Sequence, residues 1–317
     1  MFASSRRRFI AVAFALLLSV ACGITPSAQP SPTPTPTPAA TATPAFPVTV
    51  SDFQGRSVSV PKRPERIVSI GPSNTEFLFA LGLGDRVVGV DDFSDEPAAA
   101  KSKAKVGGVK VDLEKVASLR PDLILTVKFS DGTIDRLATS GAAVLVVDPQ
   151  SLADVAKTAL LLGQATGTDG KALAAGITRS LDSVRERTAK AATRPRVFHE
   201  VDATDPAKPY TVGPGSFIHE LIELAGGVNI AAKATSPYPQ LSAEELVRSD
   251  PEVIVLGDAD YGVTAEQVAV RPGWAGLAAV KAKRVHAISG NLVSRPGPRV
   301  GEAALAYAKL VQPTLFP

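Results

Sequence analysis

The stretch SLADVAKTALLLGQATGTDGKALAAGITRSLDSVRERTAKAATRP, residues 151–195, lies mid-chain and decides how both halves are interpreted. Its apolar residues recur at helical spacing, with a break at Gly167. We predict one helix before this break and a longer one from about Asp169 to Ala192, ending ahead of Pro195. About 24 residues at about 1.5 Å each extend about 36 Å, enough for a stiff link between two lobes.

Short apolar runs alternate with helical patterns on both sides of this link. The runs are RIVSI (66–70), VVGVD (87–91), DLILTV (122–127), AVLVVD (143–148), RVFHEVD (196–202), EVIVLGD (252–258) and RVHAIS (284–289). Strands separated by helices predict βαβ units and parallel sheets covered on both faces. At the front, VTVSDFQGRSVSV (48–60) predicts a β-hairpin that turns near Gly55. The expected fold class is α/β, with two lobes built on parallel-type central sheets and joined by one long backbone helix.

The two halves also resemble each other. DLEKVASLRPDLIL starts at Asp112 and SAEELVRSDPEVIV at Ser242, and this offset places Glu114 on Glu244. TEFLFALG (75–82) and HELIELAG (219–226) form a second pair in the same order. Chance similarity between βα units is the alternative. We predict a pseudo-repeat, with a binding cleft between related lobes.

The N-terminus has the features of an export signal. MFASSRRRFI carries three arginines and no acidic residue, and the apolar run FIAVAFALLLSVA (9–21) follows it. That run is shorter than the about 20 residues that a membrane-spanning helix needs, so it predicts a signal peptide. SRRRFI (5–10) also resembles a twin-arginine export motif, which leaves both export routes open.

Cys22 is the only cysteine in the chain and directly follows the apolar run. The residues ahead of it resemble a lipobox, in which the cysteine sulfur takes a diacylglycerol and becomes the new N-terminus. Ser19 stands where that motif prefers leucine, and a chance cysteine is the alternative. Residues 22–46 are rich in proline and threonine and carry no charge, which predicts an extended tether. The expected location is the outer face of the cytoplasmic membrane, reached by export and held by the lipid.

The net charge and the length of the chain limit the functions that it can have. Loss of the three arginines at positions 6–8 with the signal peptide lowers Lys plus Arg from 34 to 31, equal to the 31 Asp plus Glu. A near-neutral chain without a basic stripe does not predict nucleic-acid binding. The remaining length of about 270 residues predicts two lobes. The predicted organisation is a signal peptide (1–21), a lipidated cysteine with its tether (22–46), an N-terminal lobe (47–150), connecting helices (151–194) and a C-terminal lobe (195–317).

Catalytic and metal-binding patterns are weak. An exported hydrolase is the alternative of a different class, but there is no G-x-S-x-G, because Ser216 in VGPGSF stands in the wrong frame. The three histidines, His199, His219 and His286, are scattered without paired spacing, so we predict no metal site and no cofactor. The sequence therefore indicates a binding protein and not an enzyme.

Four segments together resemble one family. They are PERIVSIGPSNTEFLFALGLGDRVVGVDDFSDEP (64–97), DLEKVASLRPDLIL (112–125), VGPGSFIHELIELAGGVNI (212–230) and PQLSAEELVRSDPEVIVLGD (239–258). The chain resembles the substrate-binding lipoproteins of ABC importers for corrinoids and ferric siderophores, over essentially residues 47–317. The resemblance implies a monomer with two lobes and a single backbone helix, which delivers a small molecule to a permease with ATPase subunits.

The resemblance also implies docking residues. In this family one glutamate on each lobe faces arginines of the permease, and the matching positions are Glu114 and Glu244. Asp112 and Ser242 are expected helix N-caps, and Glu245 completes a capping box with Ser242. Both docking glutamates then stand second in their helices. Compensation of the helix dipole is the alternative reason for an acid at that position.

For the cleft, the resemblance implies contacts with cobalamin or a related corrinoid. The matching positions are Pro72, Ser73, Phe93, Tyr210, Tyr238, Asn291 and Arg295. Gly108 and Val127 depart from the pattern, because some members carry tryptophan there. A ferric siderophore is the alternative ligand, and haem, with Tyr210 or Tyr238 as axial ligand, is a further one. Tyr261 and Trp274 fit either rim contacts or packing, and for Trp274 we expect packing.

Overall fold

A computed structural model describes residues 45–316, so the predicted signal peptide, Cys22 and nearly all of the tether lie outside the described residues. The strands are β1 (Val48–Ser51), β2 (Ser57–Val60), β3 (Ile67–Ile70), β4 (Val87–Val90), β5 (Ala104–Lys105), β6 (Leu123–Thr126), β7 (Ala143–Val146), β8 (Arg196–Glu200), β9 (Val228–Asn229), β10 (Val253–Leu256) and β11 (Val285–Ala287). The helices are α1 (Pro72–Ala80), α2 (Leu113–Ser118), α3 (Thr133–Ala138), α4 (Leu152–Thr166), α5 (Lys171–Thr188), α6 (Phe217–Leu224), α7 (Ala243–Ser249), α8 (Ala265–Ala269), α9 (Ala278–Lys281), α10 (Gly290–Val293) and α11 (Val300–Val311). None of these helices is long and apolar enough to cross a membrane.

The N-terminal lobe contains a parallel sheet in the order β5-β4-β3-β6-β7. Every residue of β3 and β6 is buried, as expected for continuous apolar runs covered by helices on both faces. The antiparallel hairpin of β1 and β2 precedes this sheet, and Gly55 in its turn has a φ of +74°. The sequence prediction of this lobe is confirmed, except that the two-residue edge strand β5 was missed.

The C-terminal lobe contains a second parallel sheet in the order β11-β10-β8-β9. Strand β10 is buried throughout, and β8 is buried except at Arg196. The edge strand β9 holds only two residues and was not predicted. The alternation of strand and helix therefore yields the expected α/β fold with parallel sheets in both lobes.

The link consists of α4 and α5, which pack against each other. Helix α4 ends at Thr166, and its C-cap Gly167 has a left-handed φ of +68°, so the predicted break is confirmed. Helix α5 spans 18 residues, so the prediction of a helix from Asp169 to Ala192 was too long at both ends. Beyond its C-terminal end the chain forms a 3₁₀-type turn. The Lys190 and Ala191 amides donate to carbonyls three residues back, and not four as in an α-helix.

A single hydrophobic cluster runs from the N-terminal sheet through α4 and α5 to the C-terminal sheet. Separate clusters cover the other face of each sheet. Trp274 is fully buried in the C-terminal cluster, with its ring edge-to-face against Phe198 at 5.9 Å. The packing role predicted for Trp274 is confirmed, whereas Tyr261 is 90% exposed and does not pack.

Candidate functional site

The sequence-predicted ligand residues follow the carboxyl ends of strands in both sheets. They are Pro72 and Ser73 after β3, Phe93 after β4, Tyr210 beyond β8, Tyr238 beyond β9, and Asn291 and Arg295 beyond β11. In open α/β sheets this edge is where ligands bind, because loops there converge on a crevice. The topology thus collects residues separated by more than 200 positions at matching edges of the two lobes.

Asp91 organises the N-terminal wall of the cleft. Its Oδ1 accepts from the Phe93 amide at 2.9 Å, and its Oδ2 accepts from the Gly71 amide at 2.8 Å and the Ser94 hydroxyl at 2.6 Å. This carboxylate therefore ties the loop after β4 to the turn that leads into Pro72. Phe93 remains 55% exposed above it. Asp91 was missed from the sequence, although it directly precedes the predicted loop.

Gly108 and Val127, the two departures from the family pattern, lie beside this wall. A Cβ at Gly108 would stand 3.2 Å from the Phe93 ring, so the ring already fills the space that a larger residue would use. Val127 stands close to Gly71, where an added Cβ would lie 2.9 Å from its Cγ1. Phe93 is thus the aromatic group available on this side.

Two of the predicted ligand residues are exposed tyrosines on the C-terminal lobe. The backbone of Tyr210 pairs in antiparallel bridges with Asp202 and Gln240, which fixes its position and leaves its side chain 44% exposed. Tyr238 is 47% exposed on the loop after β9. Partial burial, together with the negative charge of Asp148, raises the pKa of the Tyr238 phenol. Asp148 belongs to the other lobe, where it follows β7.

Arg295 and Asn291 contact each other, and both contact the opposite lobe. Arg295 Nη1 donates to Asp95 Oδ1 at 2.7 Å, and Nη2 donates to Asn291 Oδ1 at 2.9 Å and to the Phe93 carbonyl at 3.2 Å. Burial alone would raise the pKa of Asp95, but the hydrogen bond and charge of Arg295 outweigh it and lower that pKa. The guanidinium predicted to contact ligand is therefore already paired.

A second arginine lies in the same cluster and was missed from the sequence. Arg299 donates from Nε to Glu76 Oε2 at 2.8 Å and from Nη2 to Glu76 Oε1 at 2.9 Å. Hydrogen bonding to Glu76 raises the pKa of Arg299. The only local signal was a glutamate inside the apolar helix segment NTEFLFA, where a charge requires a partner.

Both predicted docking glutamates are exposed at the second position of a short helix, Glu114 in α2 and Glu244 in α7. The predicted caps are confirmed: Asp112 accepts from the Lys115 amide, and Ser242 forms a reciprocal capping box with Glu245. Within residues 45–316 neither docking glutamate takes part in an ion pair. Their role with a permease remains a prediction.

The histidines have separate structural surroundings. His199 is buried, its Nδ1 lies 2.5 Å from the Tyr307 hydroxyl, and burial lowers its pKa to about 3. His219 Nδ1 lies 3.0 Å from the Asn229 amide nitrogen, and burial lowers the pKa of the half-buried His286. No group of three or more metal-ligating side chains converges in the described part of the chain.

Comparison with known proteins gives a family and named relatives. The family model described as periplasmic binding protein matches residues 67–292. The ABC transporter substrate-binding lipoprotein YvrC of Bacillus subtilis is 38% identical over 86% of this chain and 88% of its own length. A cobalamin-binding protein of Halobacterium salinarum is 35% identical over 81% of this chain and 72% of its own length.

Solved structures show the same architecture. The periplasmic vitamin B12-binding protein BtuF of Vibrio cholerae is 27% identical with a TM-score of 0.69, over 80% of this chain and 98% of that one. The periplasmic haem-binding protein RhuT of Roseiflexus is 26% identical with a TM-score of 0.70, over 78% of this chain and 99% of that one. The architecture is thus shared by proteins named for two kinds of macrocyclic ligand.

Proposed function

The chain belongs to the periplasmic binding protein family, and we propose that it binds cobalamin or a related corrinoid in the cleft between its lobes. As a substrate-binding component of an ABC importer it is a transport protein and not an enzyme, as its sequence indicated. The ligand is then passed to a permease that works with ATPase subunits.

The observation that carries the ligand proposal is the set of exposed aromatic side chains on loops beyond the strands of both lobes, Phe93, Tyr210 and Tyr238. A corrinoid presents a broad, mostly apolar ring with amides at its edge. Aromatic side chains bury large apolar areas, and the tyrosine hydroxyls add polar ends that pair with amides. The cobalamin-binding relative supports the same ligand.

The charges in the cleft also favour a neutral ligand. Anionic ferric chelates are bound through free cationic groups, of which arginine is the strongest hydrogen-bonding kind. Arg295 and Arg299 are instead paired with Asp95 and Glu76. A ferric siderophore therefore fits less well, unless it is uncharged.

Haem is the second candidate, because the partly exposed Tyr210 and Tyr238 carry phenol groups that can act as axial ligands and a haem-binding protein shares the fold. The two candidates are separated by incubating the purified chain with cyanocobalamin, haem and a ferric tris-catecholate in turn. Co-elution on size exclusion, followed by ligand absorbance, identifies the ligand class. Retention of haem alone would overturn the corrinoid proposal.

We also propose that Glu114 and Glu244 dock onto arginines of the permease. Support comes from their matching, exposed positions, one on each lobe, and from the family membership. A permease with two related faces would receive both carboxylates at once. Charge complementarity of this kind steers association and fixes orientation.

For the location we propose that Cys22 carries a diacylglycerol and that residues 22–46 tether a monomeric domain to the outer face of the cytoplasmic membrane. The lipobox resemblance and the lipoprotein name of the Bacillus subtilis relative support this proposal. Replacing Cys22 by Ala is expected to release the protein from membranes into the soluble fraction. Continued membrane association of that variant would contradict the anchor.

A further inference from the structure

Glu76 is a buried glutamate that both cleft arginines contact. It lies in α1 of the N-terminal lobe and is only 4% exposed. Arg299 forms a two-point hydrogen bond with its carboxylate, and Arg295 Nη1 adds a third contact at 3.4 Å. Both arginines belong to the C-terminal lobe, so one carboxylate of the first lobe binds two cations of the second.

The segment that carries these arginines lies directly on α1. A Cβ added at Gly297 would be 3.3 Å from Glu76 Oε2 and 3.7 Å from the Ser73 Cα, so the backbone here approaches the other lobe closely. Pro296 and Pro298 flank this glycine and restrict the backbone dihedrals. Arg299 then leads into α11, which packs against α5 of the link. The contact is thus continuous through α11 with the helical link.

These contacts are concentrated at one end of the cleft. Among residues 47–150 and 195–316, every side-chain hydrogen bond and ion pair between the two lobes involves Glu76, Phe93, Asp95, Asn291, Arg295 or Arg299. The polar attachment between the lobes is therefore one-sided.

We infer that Glu76 is a positioning residue that fastens the two lobes at this end and fixes the spacing of the cleft before ligand arrives. A buried charge that loses its partner is strongly destabilising. The arrangement in which Glu76 contacts Arg299 is therefore favoured over an open one in which the two side chains are separated. Holding the walls in place lowers the ordering cost of binding. The effect on ligand affinity rests on the proposed function, whereas the effect on lobe spacing does not.

The direct test measures the distance between the lobes without ligand. Cys22→Ser removes the only cysteine, and Ala138→Cys with Lys281→Cys places exposed spin labels on α3 and α9. Pulsed electron paramagnetic resonance is expected to give a narrow distance distribution in this background. Glu76→Gln is expected to broaden the distribution or shift it to longer distances.

Glu96→Gln is the matched control, because Glu96 is exposed beside the same contact and no ion pair to it occurs in the described residues. It makes the same change in charge and should leave the distribution narrow. Arg299→Gln serves if Glu76→Gln fails to fold, and it should broaden the distribution in the same way. Arg299→Lys keeps the charge without the two-point geometry, so an intermediate width is expected.

Distributions as narrow in Glu76→Gln and Arg299→Gln as in the background would overturn the inference, whatever the chain binds. Titration of the same variants with cyanocobalamin separates the two proposals. A broadened Glu76→Gln with about tenfold weaker corrinoid binding supports both. Broadening in a chain whose background shows no corrinoid binding would refute the ligand proposal alone.

Discussion

Arg66 and Arg196, 130 positions apart, make the same contacts in the two lobes. Arg66 Nε donates to the Arg120 carbonyl just beyond α2 at 3.2 Å, and Arg196 Nε donates to the Asp250 carbonyl just beyond α7 at 2.9 Å. Both acceptor residues have positive φ, 47° and 42°, which non-glycine residues seldom adopt. The repeat noticed in the sequence is therefore present in side-chain contacts and backbone geometry.

The same offset relates two further groups. Asp122 Oδ1 accepts from the Arg66 amide at 2.9 Å, and Glu252 Oε2 accepts from the Arg196 amide at 2.9 Å. Chance similarity of βα units accounts for shared apolar patterns but not for this shared hydrogen bonding. The repeat places Glu114 and Glu244 at equivalent points, which makes their joint removal informative.

Glu114→Ala and Glu244→Ala are expected to lower transport about tenfold each, about 1.4 kcal/mol, while ligand affinity is unchanged. The carboxylates are exposed and lie outside the cleft contacts, so only the permease should sense their loss. Uptake of labelled cyanocobalamin with the cognate permease measures this. Glu186→Ala, at an exposed acid on α5, is the control. Unchanged uptake in the double variant would contradict the docking proposal.

Phe93→Ala, Tyr210→Ala and Tyr238→Ala are each expected to weaken corrinoid binding by about 1–2 kcal/mol, because each removes an exposed aromatic wall. Leu160→Ala is the control, since Leu160 on α4 is a similarly exposed hydrophobic side chain outside the predicted contacts. Equilibrium titration gives the dissociation constants.

Tyr210→Phe and Tyr238→Phe distinguish the two macrocycles. Each keeps the aromatic face and removes the phenol oxygen, so corrinoid affinity should fall little. A haem site with a tyrosine ligand would instead lose affinity and change its absorption spectrum. A large loss of haem binding in one variant, with no corrinoid binding in the parent chain, would favour haem.

Asp95→Asn should raise the affinity for an anionic ferric tris-catecholate about threefold and leave cyanocobalamin affinity nearly unchanged. The half-buried Asp95 compensates part of the charge of Arg295, and its loss leaves that cation only the longer contact with Glu76, so that it attracts an anion more strongly. The expected change in affinity is small because a partly exposed ion pair contributes only about 0.2–1 kcal/mol of interaction free energy. Competition titrations with both ligands check it. Equal changes for both ligands would count against charge compensation.

The buried His199 is expected to make the folded protein less stable in acid. Its pKa is about 3 in the folded chain against an ordinary value of 6.5. Between these values the unfolded chain binds a proton that the folded chain does not, so the free energy of unfolding falls as pH falls. The expected slope is at most about 1.4 kcal/mol per pH unit. Denaturant unfolding of wild type and His199→Gln from pH 7 to 4 tests this, and equal slopes would contradict it.

Replacement of two helix glycines by alanine should change the stability of the protein in opposite directions. In α4, a Cβ at Gly163 would stand 2.5 Å from the Gly170 nitrogen, so Gly163→Ala is expected to destabilise by about 1–3 kcal/mol. In α5, Gly176 has open space apart from an Arg179 atom at 4.0 Å. Gly176→Ala should stabilise by about 0.5–1 kcal/mol through helix propensity. Thermal unfolding of both variants measures the difference, and a shared sign would contradict the account of the helix contact.

Local patterns predicted those parts of the molecule that local interactions determine. Buried strands such as β6 are visible in the sequence as continuous apolar runs. The capping pair Ser242 and Glu245 identified the start of a helix. The two-residue strands β5 and β9 are too short to show periodicity. Glu76 and Arg299 are 223 positions apart, and their contact depends on how the lobes pack, so no spacing in the sequence reveals it.

The central claim is a corrinoid in the cleft, and calorimetric titration of the chain with cyanocobalamin tests it most directly. We expect saturable heat with one ligand per chain, lost when Phe93, Tyr210 and Tyr238 are all replaced by alanine. No heat with cyanocobalamin, and saturable binding of haem or a ferric tris-catecholate by the same preparation, would contradict the corrinoid assignment and leave the family and its transport role in place.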